Sequence, residues 1–525
     1  MGTKLNKNVY PAGHTANDFK CFGPPALKDG DFTTSKIADL GCFTQDGKDT
    51  NKYYHGAICQ SKINSKWYVY FQWGRTLSNN LDFQFVECSD ESDAQKEYTK
   101  QLMSKNVKRG EWVDIGGIKT LRAKAGEDCY LVRAMAVRDV GLPDGKTITV
   151  NDKPVKISTA NVKAKISEAK VDKQTLELMK DLNVATVSYA RTSMSSNSLP
   201  TQGAIDEARI VLIEAQKRIA SVGDDIDDQI SDKQLIDLTN LIYSRIPKKK
   251  PIKAAASTWI LSANNILNWQ QDLDAFESAG SNIDTQVDSN PFGDIKVDME
   301  WISDQSELGK FIHSWWPTAT GNKHSYLNKM KILNAWRLDR HEDKGKLQKF
   351  QTDLVGINYT EKPLYQPKTR GDLVARGFNK NDISMYEKTN TALLFHGTRT
   401  VNVSGILRKN IMLPKQLVGV RMNGALFGPG IYWADDWKKS AGYTSLSGGY
   451  YTSGDGSIKN RGAFMFAGDV VLGNPYVADY KAYSSPPKGH HSVFGKAGKS
   501  GIQNNEWIIY NDSQFVLRYL VEFTQ

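Results

Sequence analysis

The spacing of hydrophobic residues changes twice along this chain, and each change indicates a different kind of fold. Between about residues 50 and 140, aromatic and β-branched residues form short runs typical of strands, the clearest being 67–73 (Trp-Tyr-Val-Tyr-Phe-Gln-Trp). From about residue 172, apolar residues recur every three or four positions, as in amphipathic helices. From about residue 326 the short runs return, separated by glycine-rich loops. We therefore predict a small α+β domain, an all-helical domain and a mixed β domain, in that order.

The individual elements follow from the same patterns. In the first part we predict strands at 57–60, 67–73 and 82–86 and a helix at 91–103. In the middle part, helical spacing relates Ile205, Ala208, Leu212, Ala215 and Ile219, and likewise Leu235, Leu238, Leu241 and Ile242. A further helix is predicted over 258–276, and late strands at 329–336, 391–395, 462–471, 507–510 and 515–523.

Composition excludes several classes of protein. With 40% hydrophobic and 24% charged residues among 525, the chain is not disordered throughout, collagen-like or a coiled coil. No apolar run approaches the roughly 18 residues of a membrane span, and residues 1–6 lack the apolar core of a secretory signal. The five cysteines form no C-x-x-C pair, so neither a disulfide scaffold nor a zinc site is expected. We expect a soluble intracellular protein.

The net charge of +10 is unevenly distributed. Residues 1–175 have a net charge of +6, residues 176–310 of −8 and residues 311–525 of +12. Basic regions suit polyanions such as nucleic acid or a dinucleotide. Charge alone is also consistent with scatter over solvated surfaces, so sequence motifs have to decide between the two interpretations.

Three clusters late in the chain carry residue types suited to a planar, polar ligand. The first places a histidine and a glycine at the end of an apolar strand, in 395–399 (Phe-His-Gly-Thr-Arg). The second has Tyr432, Tyr443 and Ser440 around a glycine-rich turn, where rings stack and a hydroxyl holds an amide. The third is Glu506 at the start of an apolar strand, where a carboxylate is costly unless it is exposed or paired. Each cluster alone is also consistent with ordinary loops or core aromatics.

Taken in order, these clusters resemble the poly(ADP-ribose) polymerase family of ADP-ribosyltransferases. The His-Tyr-Glu set of that family corresponds to His396, Tyr432 and Glu506. The flanking segments also match: 394–400 (Leu-Phe-His-Gly-Thr-Arg-Thr), 427–432 (Phe-Gly-Pro-Gly-Ile-Tyr), 439–443 (Lys-Ser-Ala-Gly-Tyr) and 517–520 (Leu-Arg-Tyr-Leu).

The resemblance extends upstream. Residues 70–75 (Tyr-Phe-Gln-Trp-Gly-Arg) look like the signature of the WGR domain, and 236–247 is similar to the helical regulatory domain of the DNA-dependent members. The implied fold class is multidomain α+β: a small β-rich WGR domain, an all-α regulatory bundle and a mixed β ADP-ribosyltransferase domain. The predicted boundaries are 1–40 for an N-terminal tail, 41–150 for the WGR domain, 172–297 for the helical regulatory domain and 298–525 for the catalytic domain.

The resemblance implies that NAD+ is a consumed substrate and that no metal takes part. In the family the nicotinamide lies between two tyrosines, here Tyr432 and Tyr443, and its carboxamide binds the backbone of Gly397 and the hydroxyl of Ser440. The predicted NAD+-binding set is His396, Gly397, Thr398, Tyr432, Lys439, Ser440 and Tyr443.

The same resemblance implies a catalytic role for His396, Tyr432 and Glu506. His396 would contact the adenosine ribose. Glu506 would hold the 2′-hydroxyl of the nicotinamide ribose and polarise the acceptor, because the transition state resembles the oxocarbenium ion of glycoside hydrolysis. The products would be nicotinamide and ADP-ribosylated protein, the chain itself being one acceptor.

DNA strand breaks are the partner implied for the WGR domain. Trp73 would pack on the terminal nucleotide and Arg75 would lie near the phosphate backbone, although a core position for Trp73 is an alternative. The helical domain would block NAD+ until DNA binding loosens it. An accessory factor at the acceptor site is a further candidate partner, no membrane partner is expected, and in a eukaryote the protein would be nuclear.

Four departures from the family pattern leave the product open. Trp507 follows the glutamate where Tyr or Phe is usual, Asn504 replaces an aromatic, Met412 replaces an arginine, and the stretch 491–506 is short. We expect initiation of ADP-ribosylation and predict poly(ADP-ribose) as the product. The alternatives are a mono-ADP-ribosyltransferase of the same fold and a catalytically inert scaffold that binds DNA ends.

Overall fold

A computed structural model describes residues 2–14, 32–44, 50–75, 81–132, 147–150, 153–156, 171–194, 199–223, 225–246, 248–249, 255–287, 295, 297–318, 327–354, 356–366, 370–413, 426–446, 457–458 and 461–524. Its residue contacts divide it into two compact units. The first unit comprises residues 1–157 and 188–280, and the second comprises 158–187 and 281–525.

The helices within the described ranges are numbered in chain order. They are Glu91–Lys105 (α1), Lys173–Ser193 (α2), Gln202–Val222 (α3), Ile226–Ser231 (α4), Lys233–Arg245 (α5), Ile266–Val287 (α6), Glu307–Thr318 (α7), His341–Asp353 (α8), Arg370–Ala375 (α9), Lys380–Lys388 (α10), Thr400–Lys409 (α11) and Trp437–Ala441 (α12). None of the helices within the described ranges is both long and apolar enough to cross a bilayer.

The first unit contains the strands Thr3–Lys4 (β1), Phe32–Thr44 (β2), Thr50–Ser61 (β3), Trp67–Arg75 (β4), Leu81–Cys88 (β5), Gly110–Ile115 (β6), Ile118–Ala123 (β7), Leu131–Val132 (β8), Thr147–Val150 (β9) and Lys153–Lys156 (β10). Six of them form an antiparallel sheet in the order β1-β5-β4-β3-β2-β8. The pairs β6–β7 and β9–β10 form separate hairpins.

Strand β4 shows why this sheet forms. Val69 and Phe71 lie in one buried cluster, and Tyr68 and Tyr70 lie in another. Side chains alternate between the two faces of a strand, and residues 67–71 of β4 are all apolar or aromatic, so this part of the strand is buried on both faces. Helix α1, which begins after the capping carboxylate of Asp90, covers one of these faces.

The structure differs from the tail predicted over residues 1–40. Thr3–Lys4 pairs with β5, and β2 begins at Phe32 and pairs with β3. A two-residue strand is too short to show alternation, and in β2 Phe32 is followed by four polar residues at 33–36, so neither segment carries a clear apolar period. Residues 15–31 lie outside the described residues.

Helices α3 and α5 of the first unit bury the residues that the helical period selected. Buried positions include Ile205, Leu212 and Ile219 in α3, and Leu235 and Leu238 in α5. These two helix predictions are confirmed.

The helix predicted over 258–276 is only partly present. A single 3₁₀ turn covers Ala256–Thr258, and the α-helix begins at Ile266. Between them, the amide of Ser262 donates to Oδ1 of Asn265 over 3.1 Å. This side-chain bond forms a turn that competes with helical hydrogen bonding, and the apolar spacing of 259–261 does not reveal it.

The second unit contains two sheets whose apolar faces share one core. Its strands are Asp298–Trp301 (β11), Ile332–Asp339 (β12), Thr391–Gly397 (β13), Ile431–Trp433 (β14), Ala463–Val471 (β15), Pro475–Val477 (β16), Ser492–Gly495 (β17), Glu506–Ile509 (β18) and Phe515–Phe523 (β19). The sheet orders are β11-β12-β19-β15-β13 and β14-β18-β17-β16. Trp336 and Phe466 from the first sheet lie in one cluster with Trp433 and Trp507 from the second. The strands predicted at 391–395, 462–471 and 515–523 are confirmed.

The first part of helix α2 belongs to the second unit. Leu178, Met179 and Leu182 lie in its core, and Oγ1 of Thr186 donates to the backbone oxygen of Val401 over 3.0 Å. The sequence pattern assigns this helix to the domain predicted over 172–297, whereas contacts place residues up to 187 with the second unit.

Candidate active site

His396 is presented at the end of a buried strand. The five residues before it in β13 are buried, and His396 itself is half-buried. Its Nδ1 lies 2.9 Å from the carbonyl oxygen of Tyr432. Because a carbonyl oxygen only accepts, Nδ1 carries the proton, and Nε2 of the neutral ring remains an acceptor. Burial lowers the pKa of His396 below its ordinary 6.5, which favours this neutral form.

Gly397 is required by close packing. A Cβ built on Gly397 would lie 1.9 Å from the backbone oxygen of Ser440. The hydroxyl of Ser440 donates to the backbone oxygen of Phe395 over 3.2 Å. The structure therefore places Ser440 against the end of β13. A site in which Gly397 and Ser440 bind the same group requires this proximity. Thr398, the next predicted residue, is buried.

Tyr432 is held at its phenolic end. Its hydroxyl donates to the backbone oxygen of Gly428 over 2.9 Å and accepts from the amide of Phe427 over 2.8 Å. Burial raises the pKa of Tyr432 well above its ordinary value. Gly428 has a φ of +95°, and a Cβ there would lie 2.0 Å from a backbone oxygen of Tyr483. The glycine-rich turn therefore allows the backbone path that fixes the ring.

Strand register places Tyr432 and Glu506 on the same face of their sheet. Tyr432 pairs with Ile508, and Trp433 pairs with Trp507. Since alternate residues share a face, Glu506 lies on the face of Ile508 and Tyr432. The two tryptophans lie on the opposite face, in the core.

Lys439 connects the carboxylate to the second tyrosine. Its Nζ lies 2.8 Å from Oε1 of Glu506, with the two side chains 13% and 14% exposed. The same Nζ donates to the hydroxyl of Tyr443 over 3.3 Å. Described contacts therefore bring together the predicted residues of the catalytic domain other than Thr398, on β13, β14, β18, α12 and the turn that follows α12.

Asp435 is a residue that the sequence motifs did not assign. It is 2% exposed and accepts hydrogen bonds from side chains of Asn505 and Trp507. Asp435 lies between the matching segments 427–432 and 439–443, and nothing in the local sequence marks its role, since its side-chain donors are about 70 residues away. Only the folded chain reveals them.

Trp507 and Met412, two of the departures from the family pattern, differ in burial. Trp507 is buried and stacks on Phe494, with centroids 3.7 Å apart and an interplanar angle of 8°. Met412 is 52% exposed. Among the described residues, no group of three or more His, Cys, Asp or Glu side chains has the arrangement of a metal site.

The predicted DNA-binding residues lie at the end of β4 in the first unit. Trp73 is half-buried, and its ring is 6.0 Å from that of Tyr54 at an angle of 22°. The Nζ atom of Lys7 lies 5.9 Å from the Trp73 ring centroid. Arg75 is exposed. One side of Trp73 is thus packed on the domain, and a cation lies near its ring.

Comparisons with known proteins match two families. The poly(ADP-ribose) polymerase catalytic domain matches residues 317–500, and the WGR domain matches residues 41–117.

Two relatives match most of this chain at low identity, and a third matches 26% of it. Poly [ADP-ribose] polymerase 1 of Gallus gallus is 23% identical over 90% of the chain and 44% of the relative. The protein of the same name from Arabidopsis thaliana is 21% identical over 94% of the chain and 47% of the relative. Protein mono-ADP-ribosyltransferase PARP4 of Mus musculus is 31% identical over 26% of the chain and 7% of the relative. The chain therefore spans less than half the length of these relatives.

Proposed function

We propose that this chain transfers ADP-ribose from NAD+ to protein acceptors when DNA is broken. It carries a poly(ADP-ribose) polymerase catalytic domain, which is an NAD+ ADP-ribosyltransferase domain, together with a WGR domain. The observation that carries the proposal is the joint placement of Tyr432 and Glu506 on one sheet face, with His396 bound to the backbone of Tyr432. The chain itself is one of the proposed acceptors.

In the proposed complex, the nicotinamide ring stacks between Tyr432 and Tyr443. Its carboxamide binds the backbone of Gly397 and the hydroxyl of Ser440. The ring of Tyr432 is already held by two hydrogen bonds of its hydroxyl, so little side-chain freedom is lost on binding. The remaining NAD+-binding residues are His396, whose Nε2 accepts from an adenosine-ribose hydroxyl, and Thr398 and Lys439.

The reaction breaks the bond between C1′ of the ribose and the nicotinamide nitrogen. The bonding electrons leave with the nitrogen, so the cationic ring departs as neutral nicotinamide and requires no acid. Positive charge develops on the ribose, and the carboxylate of Glu506, bound to its 2′-hydroxyl, stabilises it. The acceptor then bonds to C1′ and releases its proton, for which Glu506 acts as general base.

Activation by DNA is the part of the proposal that involves the first unit. Trp73 and Arg75 at the end of β4 would contact a strand end and its phosphates, supported by the exposure of Arg75 and by Lys7 near the Trp73 ring. The helical domain at 172–297 would restrict access of NAD+ until DNA binds. This is a coupling between two sites, so DNA and NAD+ must each favour binding of the other.

Poly(ADP-ribose) is the proposed product. Relatives that match 90% or more of the chain are named poly [ADP-ribose] polymerase 1, whereas a relative that matches 26% of the chain is named a mono-ADP-ribosyltransferase. Asn504, Met412 and the short 491–506 stretch favour the single-addition alternative, and an accessory factor would compensate for them at the acceptor site. In a eukaryotic cell we expect action in the nucleus.

The test measures nicotinamide release and product length from labelled NAD+, with nicked DNA and without it. We expect release to rise with nicked DNA and the product to run as a ladder. A sharp band would favour single additions, and release that is the same with and without DNA would reject DNA dependence. Glu506→Gln should abolish the ladder and lower release about 100-fold or more. Full activity of that variant would reject the site.

A further inference from the structure

Asp435 is a buried carboxylate with no role in the proposed chemistry. It follows strand β14 and is 2% exposed. One of its oxygens, Oδ2, accepts three hydrogen bonds: from Nε1 of Trp507 over 3.0 Å, from Nδ2 of Asn505 over 3.0 Å and from the amide of Leu364 over 3.1 Å. A buried carboxylate is costly unless it is hydrogen-bonded, and these three donors satisfy that need.

The two side-chain donors are the immediate neighbours of Glu506. Asn505 directly precedes β18 and Trp507 is its second residue. Both donate to the same oxygen of Asp435, so Asn505 lies on the side to which Trp507 points, and alternation along β18 directs Glu506 to the other side. Because one carboxylate oxygen binds the residues on both sides of Glu506, it restrains the backbone at Glu506 from rotating about the strand axis. The Glu506 side chain is thereby directed to the face where it meets Lys439.

Each neighbour is also held by a second contact. Oδ1 of Asn505 accepts from the amide of Ala497 over 3.0 Å. The indole of Trp507 stacks on Phe494 with centroids 3.7 Å apart. These contacts leave the side chains of Asn505 and Trp507 little freedom, so they transmit the position of Asp435 to the backbone of Glu506.

Asp435 is also tied to the strand that carries His396. The amide of Ala434 donates to the backbone oxygen of Phe395, and the amide of Phe395 donates to that of Ala434, both over 2.9 Å. Asp435 directly follows Ala434, and His396 directly follows Phe395. The carboxylate thus joins the backbone beside His396 to the backbone beside Glu506.

We propose that Asp435 is a positioning residue that sets the geometry of Glu506 relative to His396. The inference rests on the proposed function, because Glu506 matters only if it acts on NAD+. The negative charge is essential to this role, since charge-assisted hydrogen bonds are shorter and stronger than neutral ones. Trp507, one of the departures from the family pattern, supplies the indole N–H that this carboxylate binds.

The experiment compares Asp435→Asn with Trp507→Phe, which removes the indole N–H and keeps an aromatic ring against Phe494. Asp435→Asn should lower kcat for NAD+ cleavage about 10- to 100-fold, because small misplacements of a reacting group have effects of this size. Its KM and its affinity for carba-NAD+, which is not cleaved, should stay within about threefold of wild type. The matched control is Asp479→Asn, whose side chain is 71% exposed and which should leave kcat unchanged.

Coupling between the two substitutions is the second measurement. If the carboxylate acts through Trp507, the double variant should be little slower than Asp435→Asn alone, because contacting residues are non-additive. Unchanged kcat in Asp435→Asn would overturn the proposal. So would an equal fall of kcat and carba-NAD+ affinity, since that pattern indicates a damaged site and not a misplaced glutamate.

An NMR measurement separates this inference from the proposed function. The indole N–H signal of Trp507 is the one absent from the Trp507→Phe spectrum, and it should shift and exchange faster in Asp435→Asn. If the wild-type chain does not cleave NAD+, the proposed function is rejected. The indole signal of Trp507 still shows in that case whether its N–H is hydrogen-bonded to Asp435. An indole signal unchanged in Asp435→Asn would overturn the positioning role even if NAD+ is cleaved.

Discussion

Nζ of Lys439 lies 2.8 Å from Oε1 of Glu506, and both side chains are largely buried. The same ammonium group reaches the hydroxyl of Tyr443 over 3.3 Å. One cation therefore contacts the proposed catalytic carboxylate and one of the two rings proposed to hold nicotinamide. Desolvated ion pairs of this kind are sensitive to the loss of either partner.

Replacing Lys439 should impair both the cleavage of NAD+ by Glu506 and the binding of nicotinamide by Tyr443. In Lys439→Gln, the loss of hydrogen bonds between charged groups is expected to cost about 1.5–3 kcal/mol, which is about 10- to 150-fold in kcat/KM. The fall in kcat/KM is measured from the steady-state rate of nicotinamide release. Lys481→Gln is the control, because the Lys481 side chain is 59% exposed. Equal kinetics of the two variants would contradict a role for Lys439.

Gly397→Ala should disrupt the site by steric overlap. The added methyl group would lie 1.9 Å from the backbone oxygen of Ser440, so the backbone at the end of β13 has to shift. We expect loss of detectable carba-NAD+ binding by calorimetry. Gly345→Ala in helix α8 is the control, because a Cβ there meets nothing within 4 Å, and it should stabilise the chain by about 0.5–1 kcal/mol. Normal binding by Gly397→Ala would refute the packing argument.

The acid side of the pH profile should depend on His396. Its pKa is lowered below 6.5 by burial, so the neutral ring, with Nε2 as acceptor, is the major form at pH 6.5 and above and is lost as the pH falls through the lower value. We expect kcat/KM to stay level from about pH 8 to 7 and to decline only below about 6.5.

The His396→Asn variant assigns that decline, because it removes the titrating ring. Its kcat/KM should be low and should lack the part of the decline that the imidazole causes. His341→Gln is the control, since the His341 side chain is 74% exposed, and its profile should match wild type. A decline centred above pH 6.5 in wild type would contradict a lowered pKa.

The buried ion pair of Arg376 and Asp469 should stabilise the second unit strongly. Their side chains are 0% and 1% exposed, and Nε of Arg518 also lies 2.6 Å from Asp469. Arg376→Met should reduce the free energy of unfolding in urea by about 3–5 kcal/mol, because it breaks a buried pair. Arg337→Met, which removes a half-exposed arginine paired to Glu300, should cost less than about 1 kcal/mol. Equal losses would contradict this difference.

Local patterns in the sequence predicted many of the elements. The aromatic and β-branched content of 67–73 and the helical period from Ile205 to Ile219 depend on neighbours within one strand or helix, so they can be read without the fold. The helix predicted over 258–276 was partly wrong because a side-chain turn at Asn265 interrupts it. The motifs around His396, Tyr432 and Glu506 supplied the candidate site, and their catalytic roles stay predictions.

Tertiary structure decided what the motifs could not. The pairing of Tyr432 with Ile508, the contact of Lys439 with Glu506 and the convergence of Asn505 and Trp507 on Asp435 join residues 67 to 76 positions apart. No local periodicity or residue propensity in the sequence predicts contacts between such distant residues. They form because burial of the two sheet faces brings distant segments together and requires each buried polar group to find a partner. Sequence alone therefore supplied the residue types of the site, and the packing of β13, β14 and β18 supplied their geometry.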